Sequence, residues 1–446
     1  MRRSLNILLL ISLLLGSAGV SFSQTYTRLN ERTIMGTARY VGMGGAMTAI
    51  GGDPSAVLDN PAGLGIYRRH EVMLTFDMTF DRTSQLELGN RGRANIFMVP
   101  QASIVISVPT NKLDEQGVLA YNFMFSYHRQ QSFSRVLNAG GSNDASLGAL
   151  FSSIGMDLRI PYTTDRLNAL NALTLQESGY INQYTFDWAM NISNRWYWGL
   201  GLRVHSFTYG SDAAYTEEFD EQNAQNQYFA NYNNTTVLFT GAGCSFATGL
   251  IYRPASWARL GFSVETPSIG SLRQSTTGAF GARTDSLRWH DAQNGFTRYS
   301  HFHMPLHLSS SVAFQIGYYA MISLQYDYRH MKKAQDTHSL RAGFEVIPVS
   351  GLYINGGYAY ESTFSRAVDV LSVDPMSERY NAYFQRTHWT QYVSAAIGYR
   401  GYGFIVQLGY QYRWHRLDLY AHENVEDPYL MRTDNHRIIL TFGWHH

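Results

Sequence analysis

The sequence predicts an all-β protein, a 14-stranded antiparallel transmembrane β-barrel with a small N-terminal hatch that plugs the lumen. Three observations predict this fold. Apolar and polar residues alternate with a period of two, long and short connections follow one another in turn, and charged residues make up 15% of the 446 residues. A soluble domain carries about 25% charged residues. A large part of the surface is therefore expected to face lipid.

The charge balance and the cysteine count exclude other classes of protein. The formal net charge is +1, which gives no basic surface for nucleic acid. Cys244 is the single cysteine, so neither an intramolecular disulfide nor a cysteine-based zinc cluster can form. The fold must be held by other means.

Residues 1–23 match a secretory signal peptide. Arg2 and Arg3 form its positive start, residues 7–15 its apolar run, and Ser21 and Ser23 the small residues of a cleavage site. Beyond Gln24 no run approaches the roughly 18 apolar residues that a membrane helix needs. The exported chain is expected to be either a secreted soluble protein or a multi-pass barrel in the outer membrane of a Gram-negative bacterium.

The alternation favours the barrel, and residues 302–316 show it most clearly. A membrane strand turns one face to lipid and the other to a polar lumen. The face predicted to meet lipid comprises Phe302, Met304, Leu306, Leu308, Val312, Phe314 and Ile316. The face predicted to line the lumen comprises His301, His303, His307, Ser309, Ser311 and Gln315. Residues 184–192 and 196–204 alternate in the same way and carry aromatic residues, as an interfacial girdle requires.

The same pattern predicts fourteen strands along the chain. They lie near residues 70–80, 99–108, 117–127, 180–192, 196–208, 236–252, 257–266, 302–316, 318–329, 338–347, 351–361, 389–399, 402–414 and 436–446. Long connections are predicted after the odd strands and short ones after the even strands. Long outer loops and short periplasmic turns are typical of an outer-membrane barrel, whereas a soluble β-sandwich has no reason to lengthen every second connection.

The first part of the exported chain, residues 24–69, is predicted to be the hatch, with the barrel spanning residues 70–446. Fourteen strands enclose a lumen that side chains alone do not fill. Residues 24–69 lack strand alternation and are rich in glycine and other small residues. Asp53 before Pro54 and Asn60 before Pro61 each predict the cap and first turn of a short helix.

Two stretches resemble the FadL-type outer-membrane transporters of hydrophobic compounds. The hatch of that family carries a Gly-x-Gly-Gly-Ala stretch and an Asn-Pro-Ala motif. The matching residues here are Gly42, Gly44 and Gly45, followed by Asn60, Pro61 and Ala62. A late hairpin of that barrel is similar to residues 341–358, although Asn355 stands where arginine is common in the family.

The resemblance implies a passive, non-enzymatic channel that is gated by the hatch and has no cofactor. It implies uptake of hydrophobic molecules such as long-chain fatty acids from an outer-loop groove, through a pocket beside the hatch, and sideways into the membrane. The expected partners are a small hydrophobic ligand or detergent, together with outer-membrane lipid and lipopolysaccharide.

Two groups of residues are candidates for binding such a ligand. Leu147, Leu150, Phe151 and Ile154 lie near helical spacing in the large loop 128–179, where they either offer a greasy face or only pack the loop. The lumen-facing charges are Asp77, Asp187, Arg203, Asp327, Arg329, Arg341, Glu345, Arg413 and Arg437. These charges are expected to form an internal ion-pair lining, and an arginine such as Arg203 or Arg341 is a candidate to grip a carboxylate head group.

Two other functions stay open. His301, His303 and His307 share one predicted face and suggest a haem or metal site, but neighbouring positions on that face lie about 6.6 Å apart, which suits separate hydrogen bonds better. FadL-like barrels also include the PorV-type shuttle of type IX secretion, which implies outer loops that dock a secreted protein partner. An apolar pocket that reaches a gap in the wall distinguishes transport from docking.

Overall fold

The computed structural model describes residues 32–110, 116–141, 170–219, 229–284, 287–288, 292–302, 304–330, 336–363, 384–420 and 427–446. Strands dominate this part of the chain. No helix within these residues is long and apolar enough to span a membrane.

Eighteen strand segments run along the described residues. They are β1 Glu71–Gln85, β2 Arg91–Pro109, β3 Val118–Ser132, β4 Arg135–Gly141, β5 Leu170–Ile192, β6 Trp196–Phe219, β7 Phe229–Ala255, β8 Ala258–Glu265, β9 Ile269–Thr284, β10 Leu287–Arg288, β11 Ala292–Phe302, β12 Leu306–Ile316, β13 Ala320–His330, β14 Thr337–Val349, β15 Leu352–Thr363, β16 Phe384–Arg400, β17 Phe404–Tyr420 and β18 Tyr429–His445.

These segments form a closed barrel, which confirms the predicted fold class. β3 continues into β4, β8 into β9, and β10 and β11 into β12, so the described segments make fourteen barrel strands. Each strand pairs antiparallel with its neighbours in sequence. β1 pairs with both β2 and β18, from Glu71 opposite His445 to Gln85 opposite Met431, which closes the sheet. A closed sheet leaves no unpaired edge in lipid.

The two faces of the wall separate as the alternation predicts. Gln183, Thr185 and Asp187 on β5 are buried inside, whereas Tyr184 and Phe186 between them are exposed. The same contrast runs along most strands, and apolar residues make up the exposed band. This is the pattern of a transmembrane barrel with a polar interior.

Short connections mark one end of the barrel, called here the turn side. They comprise residues 110–117, 193–195, 256–257, 317–319, 350–351 and 401–403, which agrees with the predicted short turns. The chain end also lies there, since His70 and His446 exchange backbone hydrogen bonds of 3.2 and 3.1 Å. Exposed aromatic residues surround this end: Trp196, Trp257, Tyr318, Tyr319, Tyr402 and Trp444. The opposite end is the loop side.

On the loop side the strands run further than the alternation predicts. The predicted connection 81–98 was wrong for most of its length, because β1 continues to Gln85 and β2 begins at Arg91. The predicted loop 267–301 is largely the β9–β11 hairpin. These extensions reach beyond the apolar band, where apolar and polar residues no longer separate cleanly between the two faces of a strand.

The predicted single strand 302–316 is interrupted, and its phase changes. β11 ends at Phe302 and β12 begins at Leu306, with Pro305 between them. Met304, predicted to face lipid, is 5% exposed and packs inside the barrel. His301 is exposed while His307 is buried, so the two do not share a face. Proline cannot donate a backbone hydrogen bond to a ladder, and a strand often breaks there.

The N-terminal segment, defined as residues 32–66, lies inside this barrel. It contains helix α1 Ala38–Gly42, helix α2 Pro54–Asp59 and a 3₁₀-helix Pro61–Ile66. Helix α1 contacts β15 to β18, and the 3₁₀-helix contacts β3, β5, β6 and β7 on the far side of the lumen. Nearly all of its residues are buried. The segment therefore bridges opposite walls of the barrel.

Candidate functional site

The N-terminal segment is shaped by local capping and by two glycines. Asp53 accepts a hydrogen bond from the Ser55 N–H at 2.9 Å, and Asn60 accepts one from the Ala62 N–H at 3.0 Å. Both predicted caps are therefore confirmed. Gly44 and Gly45 turn the chain after α1 with φ angles of +62° and +72°, a region that glycine adopts without steric cost.

A buried charge network ties this segment to the wall. Arg341 on β14 lies between two carboxylates, with Nη1 3.3 Å from Asp59 Oδ2 and Nε 3.0 Å from Asp327 Oδ2. Arg32 Nη2 lies 3.1 Å from the other oxygen of Asp59. All four side chains are at least nine-tenths buried. Removal of one partner from such a pair costs about 3–5 kcal/mol, because the other charge stays buried without compensation.

Tyr40 completes this network from within the N-terminal segment. Its hydroxyl donates to Asp59 Oδ2 at 2.5 Å and accepts from Arg341 Nη1 at 3.2 Å. Burial, and next the Asp59 carboxylate, raise the pKa of Tyr40 above its ordinary value. The hydroxyl therefore remains a proton donor to Asp59.

A second ion pair joins α1 to the same part of the wall. Arg39 donates to both oxygens of Glu345, with distances of 2.6 and 2.9 Å, a bidentate arrangement that fixes orientation as well as charge. Burial by itself lowers the pKa of Arg39, but the adjacent Glu345 carboxylate outweighs it and the pKa is raised. Asn355 donates to Glu345 Oε2 at 2.8 Å. Asn355, which stands where arginine is common in the family that the sequence resembles, thus positions the Glu345 carboxylate that binds the N-terminal segment.

Wall glycines let the N-terminal segment approach the strands closely. A Cβ placed on Gly261 of β8 lies 2.6 Å from Thr48 O and 2.7 Å from Ala49 Cα. Similar collisions with the backbone of the segment arise at three further wall positions: Gly199, Gly343 and Gly357. Space between the strands and the segment is therefore smaller than one methyl group at these points.

The hatch-motif residues predicted from the sequence lie at this interface. Gly42 packs so closely on β16 that its Cβ collides with Ala396. Asn60 donates from Nδ2 to Thr48 O at 2.8 Å, and Pro61 lies against Gly199. Sequence reasoning missed Arg32, Arg39, Tyr40 and Asp59, although charged and phenolic side chains in a segment of small residues were a usable signal.

The loop-side half of the interior is lined differently. Eight apolar residues from β5, β6, β7, β9 and the strand breaks form one buried group, called here the apolar cluster: Phe133, Ile181, Phe207, Tyr209, Val237, Phe239, Leu272 and Met304. Phe133 also lines a cavity of about 50 Å³ above the N-terminal segment, together with Met35 and Met98 and with charged side chains such as Asp81 and Arg413. A larger cavity of about 520 Å³ opens on the turn side, below the segment.

The wall is discontinuous beside the apolar cluster. The β2–β3 ladder runs from Pro109 opposite Ala120 to Gln101 opposite His128. Beyond the end of this ladder, β4 pairs with β5. The backbone of β4 also accepts hydrogen bonds from inward side chains of β1, since Thr83 Oγ1 donates to Val136 O at 2.5 Å. β4 therefore leans inward, and residues 91–100 of β2 share no backbone ladder with it.

Arg203 occupies a separate buried position on β6. Its Nη2 lies 3.7 Å from Asp187 Oδ1 and its Nε 4.0 Å from Glu265 Oε1. Like Arg341, it is already flanked by two carboxylates. Neither arginine presents the unopposed positive charge that would favour a carboxylate ligand, although the guanidinium nitrogens of Arg203 make no hydrogen bond within the described part of the chain.

Several predicted residues remain without a structural description. The described residues do not include the predicted ligand-binding residues Leu147, Leu150, Phe151 and Ile154, nor His303. They also do not include residues 142–169 and 364–383. His307 is bonded to the wall and to the N-terminal segment, with Nε2 3.3 Å from Asp327 Oδ1 and Nδ1 3.1 Å from Arg32 Nη1. Among the described residues no three histidine, cysteine or acidic side chains are grouped to hold a metal ion. The docking function stays a prediction.

Comparisons with known proteins agree on the fold. No protein-family model matches the chain, and no curated protein matches it in sequence. A crystal structure of a Pseudomonas aeruginosa FadL homologue superposes with a TM-score of 0.59 and 12% identity, covering 93% of this chain and 98% of that one. The P. putida toluene transporter TodX gives 0.55 and 11%, covering 93% and 99%. The Ralstonia pickettii toluene transporter TbuX gives 0.52 and 12%, covering 92% and 98%. The chain thus shares the FadL-type barrel fold.

Proposed function

We propose that this protein is an outer-membrane channel of a Gram-negative bacterium for the passive uptake of small hydrophobic molecules, gated by its N-terminal segment. The apolar cluster beside the discontinuous β2–β4 wall carries this proposal. An apolar molecule gains about 25 cal/mol for each Å² that it removes from water. The cluster offers such contacts on the loop side of the interior.

The proposed route runs sideways between β2 and β4. A molecule that enters from the loop side reaches the apolar cluster and leaves through the wall where the backbone ladder is interrupted. Lateral exit keeps an apolar molecule away from the charged turn-side interior, where desolvation of ion pairs would oppose its passage. The FadL-type fold supports this route by likeness to channels for hydrophobic compounds.

Neutral molecules fit this interior better than long-chain fatty acids. A carboxylate head group needs a cation or several hydrogen-bond donors when it leaves water. Arg341 and Arg203 each lie between two carboxylates. We therefore place neutral aromatic or aliphatic molecules ahead of fatty acids as substrates.

Passage requires movement of the N-terminal segment, because the cavity next to the apolar cluster measures only about 50 Å³. A reversible covalent lock tests this. A Cβ placed on Gly409 lies 3.2 Å from Ala38 Cβ, close to the 3.5–4.5 Å range of disulfides. The variant Ala38→Cys/Gly409→Cys, in a Cys244→Ser background, links α1 to β17. Entry of the neutral dye N-phenyl-1-naphthylamine across the outer membrane of a host cell is the measurement.

Oxidation is expected to slow dye entry to the level of cells without the protein, and a reductant to restore it. The matched control is Ser126→Cys/Thr185→Cys, which joins the neighbouring wall strands β3 and β5. The hydroxyl oxygens of Ser126 and Thr185 lie 3.0 Å apart. This control should leave dye entry unchanged. Unchanged entry through the oxidised Ala38–Gly409 lock would refute gating by the segment, and absence of protein-dependent entry in every variant would refute the channel itself.

A further inference from the structure

The outward face of the barrel concentrates arginines at one place on the loop side. Strands β17, β18, β1 and β2 are neighbours, and their pairing aligns outward residues in rows across the wall. One row runs Arg416, Arg432, Ser84, Arg91, and the next row towards the turn side runs Trp414, Asp434, Arg82, Arg93. These two rows are called here the arginine patch.

The patch lies directly above the apolar band that faces lipid. Two rows nearer the turn side, the aligned residues are Tyr410, Ile438, Met78 and Phe97, which are 46%, 47%, 44% and 70% exposed. The row between contains Tyr412, His436, Phe80 and Asn95. The sequence of apolar, aromatic and basic rows matches the passage from acyl chains through the interface to lipid head groups.

The charges within the patch are poorly balanced by the protein itself. Arg82 stands directly opposite Arg93, and Arg416 directly opposite Arg432. Like charges in directly opposed positions destabilise a sheet. Asp434 is the single acid in the two rows, and it pairs with Arg432 at 2.9 Å. Arg82, Arg91, Arg93 and Arg416 are exposed, and none of them lies within 4.0 Å of a carboxylate in the described part of the chain.

The other side of the wall is different at the same height. Outward positions near the loop ends of β13, β14 and β15 hold Tyr326, Tyr328, His338 and Tyr360. The Tyr326 hydroxyl lies 2.7 Å from His338 Nδ1, and Tyr328 donates to Asp336 at 2.8 Å. No arginine faces outward along the described residues of these three strands. The positive charge is therefore concentrated on one face of the barrel, while an exposed arginine such as Arg273 on β9 lies elsewhere.

We propose that the arginine patch is a binding site for the phosphate groups of an anionic lipid in the loop-side leaflet, such as the glucosamine phosphates of lipid A. Four strands spaced about 4.8 Å apart make the patch about 14 Å wide, and its two rows lie about 7 Å apart. Guanidinium groups bind phosphate oxygens in bidentate fashion. A phosphate placed between Arg82 and Arg93 satisfies both charges, while the acyl chains lie along Met78 and Phe97.

The test is binding of lipid A to the purified exported protein in a neutral detergent, measured by native mass spectrometry. The variant Arg82→Gln/Arg93→Gln removes two charges that face one another. Each basic residue near an anionic lipid surface contributes about 1 kcal/mol, so binding of bisphosphorylated lipid A is expected to weaken about 30-fold. The matched control is Arg68→Gln/Arg195→Gln, two exposed arginines on the turn side, which should leave binding unchanged.

Two further measurements distinguish a lipid phosphate from free phosphate as the ligand. Lipid A without its phosphates should bind the unaltered protein as weakly as bisphosphorylated lipid A binds the Arg82/Arg93 variant. Millimolar inorganic phosphate should not displace the lipid, because it lacks the acyl chains. Equal binding by the variant and the unaltered protein, equal binding of the dephosphorylated lipid, or full displacement by inorganic phosphate would each overturn the proposal. Both variants must migrate as folded barrels in unheated gels.

Discussion

The two halves of the barrel interior are closed by different physical means. On the turn side, ion pairs and close backbone contacts hold the N-terminal segment, as Arg341 with Asp59 and Arg39 with Glu345 illustrate. On the loop side, the apolar cluster lines the interior next to the buried ion pair Arg135–Glu177, and β4 shares no backbone ladder with β2. Ion pairs require exact geometry, whereas apolar contacts tolerate different occupants.

This difference assigns a task to each half. A segment held by buried charges is either docked with all its partners or released at a high cost, which suits a gate with two states. An apolar lining without directional bonds suits ligands that differ in shape. We infer that the turn side controls passage and that the loop side determines which molecules are accepted.

Arg341→Met should produce the largest effect on docking of the N-terminal segment. The substitution leaves Asp59 and Asp327 buried without their shared cation, and the docked state should lose about 3–5 kcal/mol. The measurement is the rate of protease cleavage within residues 32–66 of the folded barrel. That rate is expected to rise by more than about 100-fold, since 1.4 kcal/mol corresponds to a factor of ten.

Arg203→Met is the matched control for this prediction. Arg203 is as deeply buried as Arg341 and also lies between two carboxylates, but its partners Asp187 and Glu265 belong to the wall. Its loss should destabilise the barrel towards urea without exposing the N-terminal segment. An equal rise in cleavage for both variants would show that the segment responds to general loosening and not to its own ion pairs.

Gly357→Ala should have the next largest effect. The added methyl group collides with the backbone of Met43 and Gly44, and overpacking of this kind costs about 1–3 kcal/mol. Cleavage within the N-terminal segment should increase, by less than in Arg341→Met. Gly295→Ala on β11 is the control, since its Cβ meets the Thr277 side chain at 3.3 Å and no part of the segment. An unchanged rate of protease cleavage in both variants would mean that the close contact at Gly357 does not hold the N-terminal segment in place.

The sequence predicts the wall far better than the interface that the wall makes with the N-terminal segment. Alternation in residues 183–188 reports lipid on one side and a polar lumen on the other, and the structure has these faces as predicted. The same signal fails where lipid ends: on β6, Asp212 and Thr216 face outward while Ser211 and Glu217 face inward. The inward face there mixes Ser211 and Glu217 with the buried Tyr215, so the period of two is lost from the sequence although the burial still alternates.

The partners across the lumen leave no local pattern. Arg341 was predicted to line the lumen, but its contact with Asp59 joins residues 282 positions apart. The contact of Arg39 with Glu345 joins residues 306 positions apart. Pairing at such separation depends on how the closed barrel places β14 against α1, which no spacing in the chain encodes. The change of phase at Pro305 was readable, because proline inside a strand argues against an unbroken ladder.

Ile181→Val should have the smallest effect and one confined to the loop side. Ile181 is fully buried in the apolar cluster, and loss of one methylene from such a site costs about 0.5–1.5 kcal/mol. Urea unfolding of the barrel in lipid vesicles should detect this loss, while cleavage within the N-terminal segment stays at the level of the unaltered protein. Entry of a bulkier neutral dye should rise relative to N-phenyl-1-naphthylamine, since the interior gains space where the ligand is proposed to pass. Increased cleavage of the segment together with unchanged dye preference would instead mean that the two halves are mechanically coupled, and would remove the division of tasks between them.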